Sequence, residues 1–336
     1  MRYAIDRRRA LVGVSAALFA PFPLAAQTPQ RLKLNTFPNT TNLALYLGEA
    51  RGVFTRHGIQ LDVEFTQNSE DQRRKLGTGE VDLAYSAIDN AIAMVELAKQ
   101  DVVILSGGDT SMMELMVRPE ISKLEDMRGK TLVVDRANTA YGFLAMKILK
   151  ERGLIARRDY ALKEVGATVA RVDAMLSGAD NVAAGMLNPP FSFGAKDKGL
   201  KSFGRAVDLI GAYQGGGFFA LRSWTARNGP LLRSFLAAYI EATRLALDPA
   251  NRTEGVALLA ARLKQAPALA ARTYDEALLQ PRFGIVPDAR LDLAGLKTVL
   301  ALRAELEGQW GGVAPPAERY IDTSFYDEAL KSLPSR

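Results

Sequence analysis

The 336-residue chain has no cysteine and a single histidine, His57. The first absence excludes disulfides, thiolate metal sites, iron–sulfur clusters and cysteine nucleophiles. The second excludes a multi-histidine metal centre, so no metal site and no cofactor is expected. Aromatic residues are only 8% of the chain and are scattered, which supplies no stacking platform for single-stranded nucleic acid. Gly215–Gly217 lacks the Gly-Lys-Ser/Thr ending of a phosphate-binding loop, and neither Gly-x-Ser-x-Gly nor His-Glu-x-x-His occurs. The acidic residues form no pair spaced for general acid and base, and His57 beside Gly58 reads as a favourable group at a helix C-terminus. No catalytic residue is expected.

What is present is ordinary globular material, 48% hydrophobic and 24% charged, long enough for two lobes at roughly 150 residues each. The net charge of +6 suggests a nucleic-acid partner until it is located. Met1–Ala26 holds Arg2, Arg7, Arg8 and Arg9, an apolar run from Ala10 to Phe22, then Pro23-Leu24-Ala25-Ala26. That is the layout of an export signal, with an apolar run too short to span a bilayer. Asp6-Arg7-Arg8-Arg9-Ala10-Leu11 resembles a twin-arginine signal, so the folded and unfolded export routes both stay open. Cleavage after Ala26 removes four of the 43 basic and one of the 37 acidic residues, leaving +3. A soluble periplasmic protein with no nucleic-acid partner is expected, since no lipobox cysteine exists to be acylated.

After the signal, strand and helix patterns alternate. Strands are predicted at Leu32–Leu34, Leu61–Phe65, Val81–Tyr85 and Val102–Leu105, with helical spacing at Leu43–Phe54, Glu70–Leu76 and Asn90–Lys99. The pattern restarts with strands at Met113–Arg118, Lys130–Asp135, Leu162–Val165 and Val182–Leu187, a helix at Ala140–Arg152 and a shorter one near Arg171–Leu176. A strand at Phe218–Arg222 precedes an Ala- and Leu-rich helical region reaching Leu306. This order predicts an α/β fold of two lobes, each a mostly parallel sheet flanked by helices, with a helical C-terminal region. The expected division is 1–26 signal, 27–112 plus 220–336 first lobe, and 113–219 second lobe. Glycines at 107–108 and 215–217 flank the second lobe where a two-strand hinge needs backbone freedom.

Loops at the C-terminal ends of such strands form the crevice in which open α/β sheets bind ligands. Candidate loops are Phe37–Thr41, Ser86–Asn90, Asp135–Tyr141 and Asn188–Phe191, the last stiffened by Pro189 and Pro190. Each also reads as a plain capping or turn segment. The helix starting near Ala140 offers free N–H groups to an anionic ligand group, and Arg136 either adds to it or points into solvent.

The stretch from Leu45 to Ile59, LYLGEARGVFTRHGI, and the run Gly77-Thr78-Gly79-Glu80-Val81-Asp82-Leu83-Ala84 resemble motifs of the periplasmic solute-binding proteins of ABC importers. The resemblance is to the group of aliphatic sulfonate, taurine and nitrate binders and the thiamine-pyrimidine-precursor family, over nearly all of the mature chain. It implies a type II periplasmic-binding fold, a small-molecule solute in the interlobe cleft, an inner-membrane ABC permease as partner, and a monomer. Its ligand contacts fall here on Phe37, Asn39, Thr40, Thr41, Ser86, Asp89, Asn90, Asp109, Asn138, Thr139, Ala140, Tyr141, Asn188, Phe191, Tyr213 and Gln214. Where sulfonate binders read Gly-Ser-Thr-Ser, this chain reads Ala137-Asn138-Thr139-Ala140-Tyr141, which points away from a sulfonate. Asp89 and Asp109 with the aromatics suggest instead a ring or amine-bearing solute. Two other readings stay open: an enzyme like the thiamine-pyrimidine-precursor synthases, and a solute receptor serving a sensor.

Overall fold

The structure, a computed structural model, describes residues 28–66, 68–280 and 282–335. The export signal expected over 1–26 lies outside the described residues. Four strands come first: β1 (Gln30–Thr36), β2 (Ile59–Phe65), β3 (Leu83–Ala87) and β4 (Val102–Asp109). The chain then crosses to build β5 (Glu114–Val117), β6 (Thr131–Val134), β7 (Ala161–Glu164), β8 (Val182–Leu187) and β9 (Lys201–Arg205), and returns as β10 (Gly216–Leu221). They form two five-stranded sheets, ordered β2-β1-β3-β10-β4 and β7-β6-β8-β5-β9, flanked by helices.

Within each sheet three strands run parallel, β2-β1-β3 in one and β7-β6-β8 in the other. By contrast β5 and β10 are antiparallel to both their neighbours. Each of these two is the first strand after a crossing. It therefore starts at the edge where the neighbouring strands end, and runs the opposite way. The whole of β10 pairs inside the first sheet, so the expected lobe boundary between 219 and 220 moves back ahead of Gly216. Strand β9 was not expected, because Lys201-Ser202-Phe203-Gly204-Arg205 has one large apolar residue and no alternation; it is an edge strand held only by β5.

The first sheet is packed by the helix Gly229–Leu247, whose buried Leu232, Phe235, Leu236, Tyr239, Ile240 and Thr243 recur at three- and four-residue spacing. Pro230 fits its first turn, where no backbone donor is needed. Phe218 of β10 meets Phe235 and Tyr239 edge-on, with ring centroids 5.0 and 4.6 Å apart, and Tyr85 of β3 lies 4.7 Å from Phe218. Burying each such ring contributes about 1.5–3 kcal/mol. The cluster also fixes Tyr85 so that its hydroxyl emerges at the end of the sheet. Later in the chain, helix Leu293–Glu307 reaches over to helix Ala140–Lys150 through Glu305, which pairs with Lys147 at 2.8 Å and Lys150 at 3.0 Å.

The glycines at the crossings act differently from the expectation. Those at 107, 108, 215, 216 and 217 all lie outside the positive-φ region. They make room: a Cβ on Gly108 would sit 2.3 Å from the Tyr85 hydroxyl, and one on Gly215 2.2 Å from the Ser111 amide nitrogen. The left-handed backbone at the crossing belongs to Ser111 (φ 65°) and Met112 (φ 47°). Among the described residues no helix is long and apolar enough to cross a membrane.

Candidate ligand-binding cleft

Between the two sheets lies a cavity of about 530 Å³, walled by loops that leave the C-terminal ends of strands in both halves. From the first half, Phe37 and Asn39 come from the loop after β1. That loop is held by Asn42, whose Nδ2 donates to Phe37 O at 2.7 Å, and by Asn39, whose Oδ1 accepts from the Thr41 amide at 3.1 Å and hydroxyl at 2.6 Å. Ser86 near the end of β3 and Asn90 after it are linked by a chain of bonds: Asn90 Nδ2 donates to Ser86 Oγ at 3.2 Å, and Ser86 Oγ donates to Gln72 Oε1 at 2.5 Å. Asp109 ends β4 at the floor of the cavity, accepting from Tyr85 OH and from the Ser111 amide at 2.5 Å. Burial pushes the Asp109 carboxyl up, against the pull of these donors.

From the second half, Thr139, Ala140 and Tyr141 open the helix Ala140–Lys150, and Asn188 and Phe191 follow β8. Tyr141 OH donates to Asn188 Oδ1 at 3.2 Å, and burial raises its pKa. Under the Tyr141 ring, 4.2 Å from its centroid, sits the guanidinium of Arg171, which is 1% exposed. Its donors go to neutral oxygens only: Met186 O at 3.2 Å, Gly166 O at 2.7 Å and Thr168 Oγ1 at 2.8 Å. The charge thus reaches the cavity with no ion pair to a carboxylate among the described residues. Asp135, at the mouth of the loop, accepts from Thr139 Oγ1 at 2.5 Å and pairs with no cation among the described residues. No side chain caps the N-termini at Thr139 and Ala167, so the first-turn N–H groups of two helices face this wall uncommitted.

The structure brings Phe37, Asn39, Thr41, Ser86, Asn90, Asp109, Thr139, Ala140, Tyr141, Asn188 and Phe191 to one cavity. Five expected contacts are not on its wall. Asp89 turns inward, where Arg303 of the helix Leu293–Glu307 donates to Oδ1 at 2.6 Å; both groups are almost wholly buried, and burial pushes the Asp89 carboxyl up against the arginine's pull. Tyr213 is buried near the same pair. Gln214 is spent on the backbone, donating to Gly216 O at 2.7 Å and accepting from the Asp292 amide at 2.7 Å. Thr40 donates across the gap to Pro189 O at 3.2 Å, so it links the halves and leaves the wall to its neighbours. Asn138 stays half-buried beside the cavity without lining it.

The cavity also has walls that the sequence reading passed over, chiefly Thr66, Asn68, Ser69 and Glu70 after β2 and Val165–Val169 with Arg171 after β7. Both obey the strand-then-helix rule that found the others. Asn68, which caps helix Ser69–Thr78 by accepting from the Asp71 amide at 2.8 Å, carried the signal. Arg136 resolves toward ion pairing, with Glu164 at 3.1 Å and, across the mouth, Glu70 at 3.5 Å. Among the described residues no cluster of acidic residues and histidine is arranged to hold a metal, and no lysine lines the cavity. His57 lies elsewhere, 2.9 Å from Glu241.

A family model described as NMT1/THI5 like matches residues 39–251. The chain belongs to the NMT1/THI5-like family. No curated protein sequence matches it. Among solved structures, the nitrate-binding protein NrtA of Synechocystis PCC 6803 is similar with a TM-score of 0.74 and 13% identity, over 90% of this chain and 89% of that one. A ligand-binding component of an ABC-type import system from Staphylococcus aureus, with zinc bound, gives 0.72 and 14% over 89% and 99%. The aliphatic sulphonate-binding protein SsuA of Escherichia coli gives 0.69 and 17% over 88% and 92%. This family member therefore has the periplasmic-binding-protein fold, and these neighbours are solute-binding proteins.

Proposed function

We propose that the chain is the solute-receiving component of an ABC-type import system: exported to the periplasm, non-catalytic, monomeric, and delivering a small organic solute to an inner-membrane permease. The observation that carries this reading is a cavity walled by strand-end loops of both halves. Those halves already touch across it through Thr40 to Pro189 and Arg136 to Glu70. A solute that contacts both walls binds a closed arrangement better than an open one and so shifts that equilibrium. Phe37 on one wall and Tyr141 and Phe191 on the other suit a ring. The uncapped helix N-termini with Arg171 suit an anionic or acceptor-rich group on that ring, and Asp135 suits a donor. The amine-bearing reading loses Asp89, which is committed to Arg303.

An enzyme of the thiamine-pyrimidine-precursor type finds no support at this cavity. The one histidine pairs with Glu241 away from it, and no lysine is there to hold an aldehyde cofactor. The import and sensor readings share the same solute capture, and a gene neighbourhood encoding a permease and an ATPase separates them. A thermal-shift screen of the chain from Gln27 onward tests the receptor reading, with sulfonates, nitrate, pyrimidines, aromatic acids and amines. A ligand at 100 times its Kd adds about 2.7 kcal/mol, several degrees in Tm. Absence of a saturable shift with every class, and of a co-purified ligand by native mass spectrometry, rejects it.

A further inference from the structure

The crossing from β4 to β5 is short, half-buried at Thr110 and Ser111 and buried at Met112 and Met113, and conformationally costly. Ser111 and Met112 are consecutive non-glycine residues in the left-handed region, where the Cβ crowds its own carbonyl. Met112 and Met113 are buried, so the kink is anchored on its far side. On its near side stands Asp109. Oδ1 accepts the Ser111 amide at 2.5 Å, and Oδ2 accepts Tyr85 OH. The same residue's carbonyl accepts the Gly215 amide at 3.2 Å and Gln214 Nε2 at 3.3 Å, both on the return crossing. A Cβ on Gly216 would lie 2.2 Å from Oδ2, so the return strand closes over the carboxylate. A third segment braces the outside: Thr110 donates from its amide to Gly284 O at 3.3 Å and from its hydroxyl to Phe283 O at 2.5 Å. One residue, 2% exposed, thus ties the cavity floor to both chain crossings between the halves, its carboxylate holding the outgoing crossing and its carbonyl the returning one.

We propose that Asp109 is the positioning residue of the interlobe hinge, its carboxylate holding the left-handed Ser111–Met112 kink and so setting the geometry in which the two halves face each other. The proposal rests on the receptor reading only for the purpose of the hinge. Asp109 then shapes the cavity through the crossing, and the solute is oriented by the opposite wall. An anionic acceptor is needed because a charge-assisted bond to the Ser111 amide is about twice as strong as a neutral one, and it opposes a backbone conformation that serine and methionine otherwise avoid.

The absence of cysteine makes the test direct, since two introduced thiols are the only ones. Spin labels on Q60C and A161C, exposed sites on β2 and β7, report the interlobe distance with no solute added. The native background is expected to give a narrow distribution and D109A one about twice as wide. S111G, which removes the Cβ penalty at the kink, is expected to restore most of the narrow distribution in D109A while leaving the native chain unchanged. Should D109A fail to fold, D109N keeps the shape and removes the charge. Hydrogen exchange at the Ser111 amide is then expected to quicken about tenfold while the amides of β4 keep their native rates. A native distance distribution in D109A, no narrowing by S111G, or unchanged Ser111 exchange in D109N overturns the proposal. None of these readouts uses a solute, so a failed ligand screen leaves the hinge result standing, and the reverse.

Discussion

The two walls of the cleft are built by the same strand-then-helix device and spend their polar groups differently. On the first-half wall two helix starts are capped by side chains, those of Asn39 and Asn68, while helix Asp89–Glu96 has no side-chain cap and carries in its first turn the Asp89 carboxylate, which pairs with Arg303. On the second-half wall no side chain among the described residues caps the helix starts at Thr139, Ala167 and Pro190, the last having its Ser192 amide taken by Asn188 O, and Arg171 has only neutral hydrogen-bond partners. A wall with its hydrogen bonds internally paired supplies shape and apolar surface. A wall with donors left over supplies orientation, because a solute group that enters completes bonds that are otherwise unmade. On the receptor reading proposed above, the asymmetry gives stability to the first wall and recognition to the second.

The largest break in this comparison is expected at the first wall's foundation. R303A leaves Asp89 charged and buried without its partner, at a cost of about 3–5 kcal/mol. Urea unfolding should show it as a much lower midpoint, and a native midpoint would mean that Asp89 is held some other way. Next comes R171A, which removes the second wall's charge. Titration calorimetry with the solute found in the screen should show at least about a tenfold weaker Kd, worth ~1.4 kcal/mol. Unaltered binding there would move recognition to the other wall.

Smaller effects sharpen the contrast between caps. N68A should cost about 1 kcal/mol of stability and leave solute affinity nearly unchanged. A167D, which adds the cap that the second wall lacks, should raise Tm slightly and weaken solute binding by occupying the free N–H groups. If N68A and A167D move stability and binding together, the division of labour between the walls is wrong. The smallest effect is a control far from the cleft. Asp159 is held down to about 2 by the Ile155 amide and by Arg158 and Arg128, against an ordinary value of 3.8. With a lowered folded pKa, its contribution is complete above about pH 4 and is lost as pH falls toward 2. D159N should flatten the acid limb of a Tm-against-pH curve in that window, with no change in solute binding at neutral pH.

All the expected strands appear in the right order, with β9 as the one addition, because their apolar runs are short, bounded by turn residues, and buried wherever the sheet stacks. The loops after β1, β3, β6 and β8 were legible for the same reason, as helix caps and stiff turns are local. The wall residues after β2 and β7 obey the same rule but, apart from the cap Asn68, carry few distinctive residues, so only the sheet order brings them to the cavity. Asp89 was misplaced because its partner, Arg303, lies 214 residues beyond it and leaves no trace in the local pattern, and Tyr213 because it is buried near that pair. The crossing glycines misled in the opposite sense. Glycine advertises backbone freedom, whereas here it serves close approach, and the unusual φ values fall on Ser111 and Met112.

The sequence by itself determined the alternation of strand and helix, the two-lobed plan, the strand-end loops as binding candidates, and the exclusion of thiol and multi-histidine chemistry. These follow from periodicity, capping and composition, all readable within one turn or one strand. Tertiary structure alone decided the reversed direction of β5 and β10, which acid faces the cavity and which is buried under an arginine, and the lack, among the described residues, of any ion pair between Arg171 and a carboxylate. Each of those depends on groups far apart in the chain meeting in a low-dielectric interior, where pairing is set by three-dimensional distance rather than by sequence spacing.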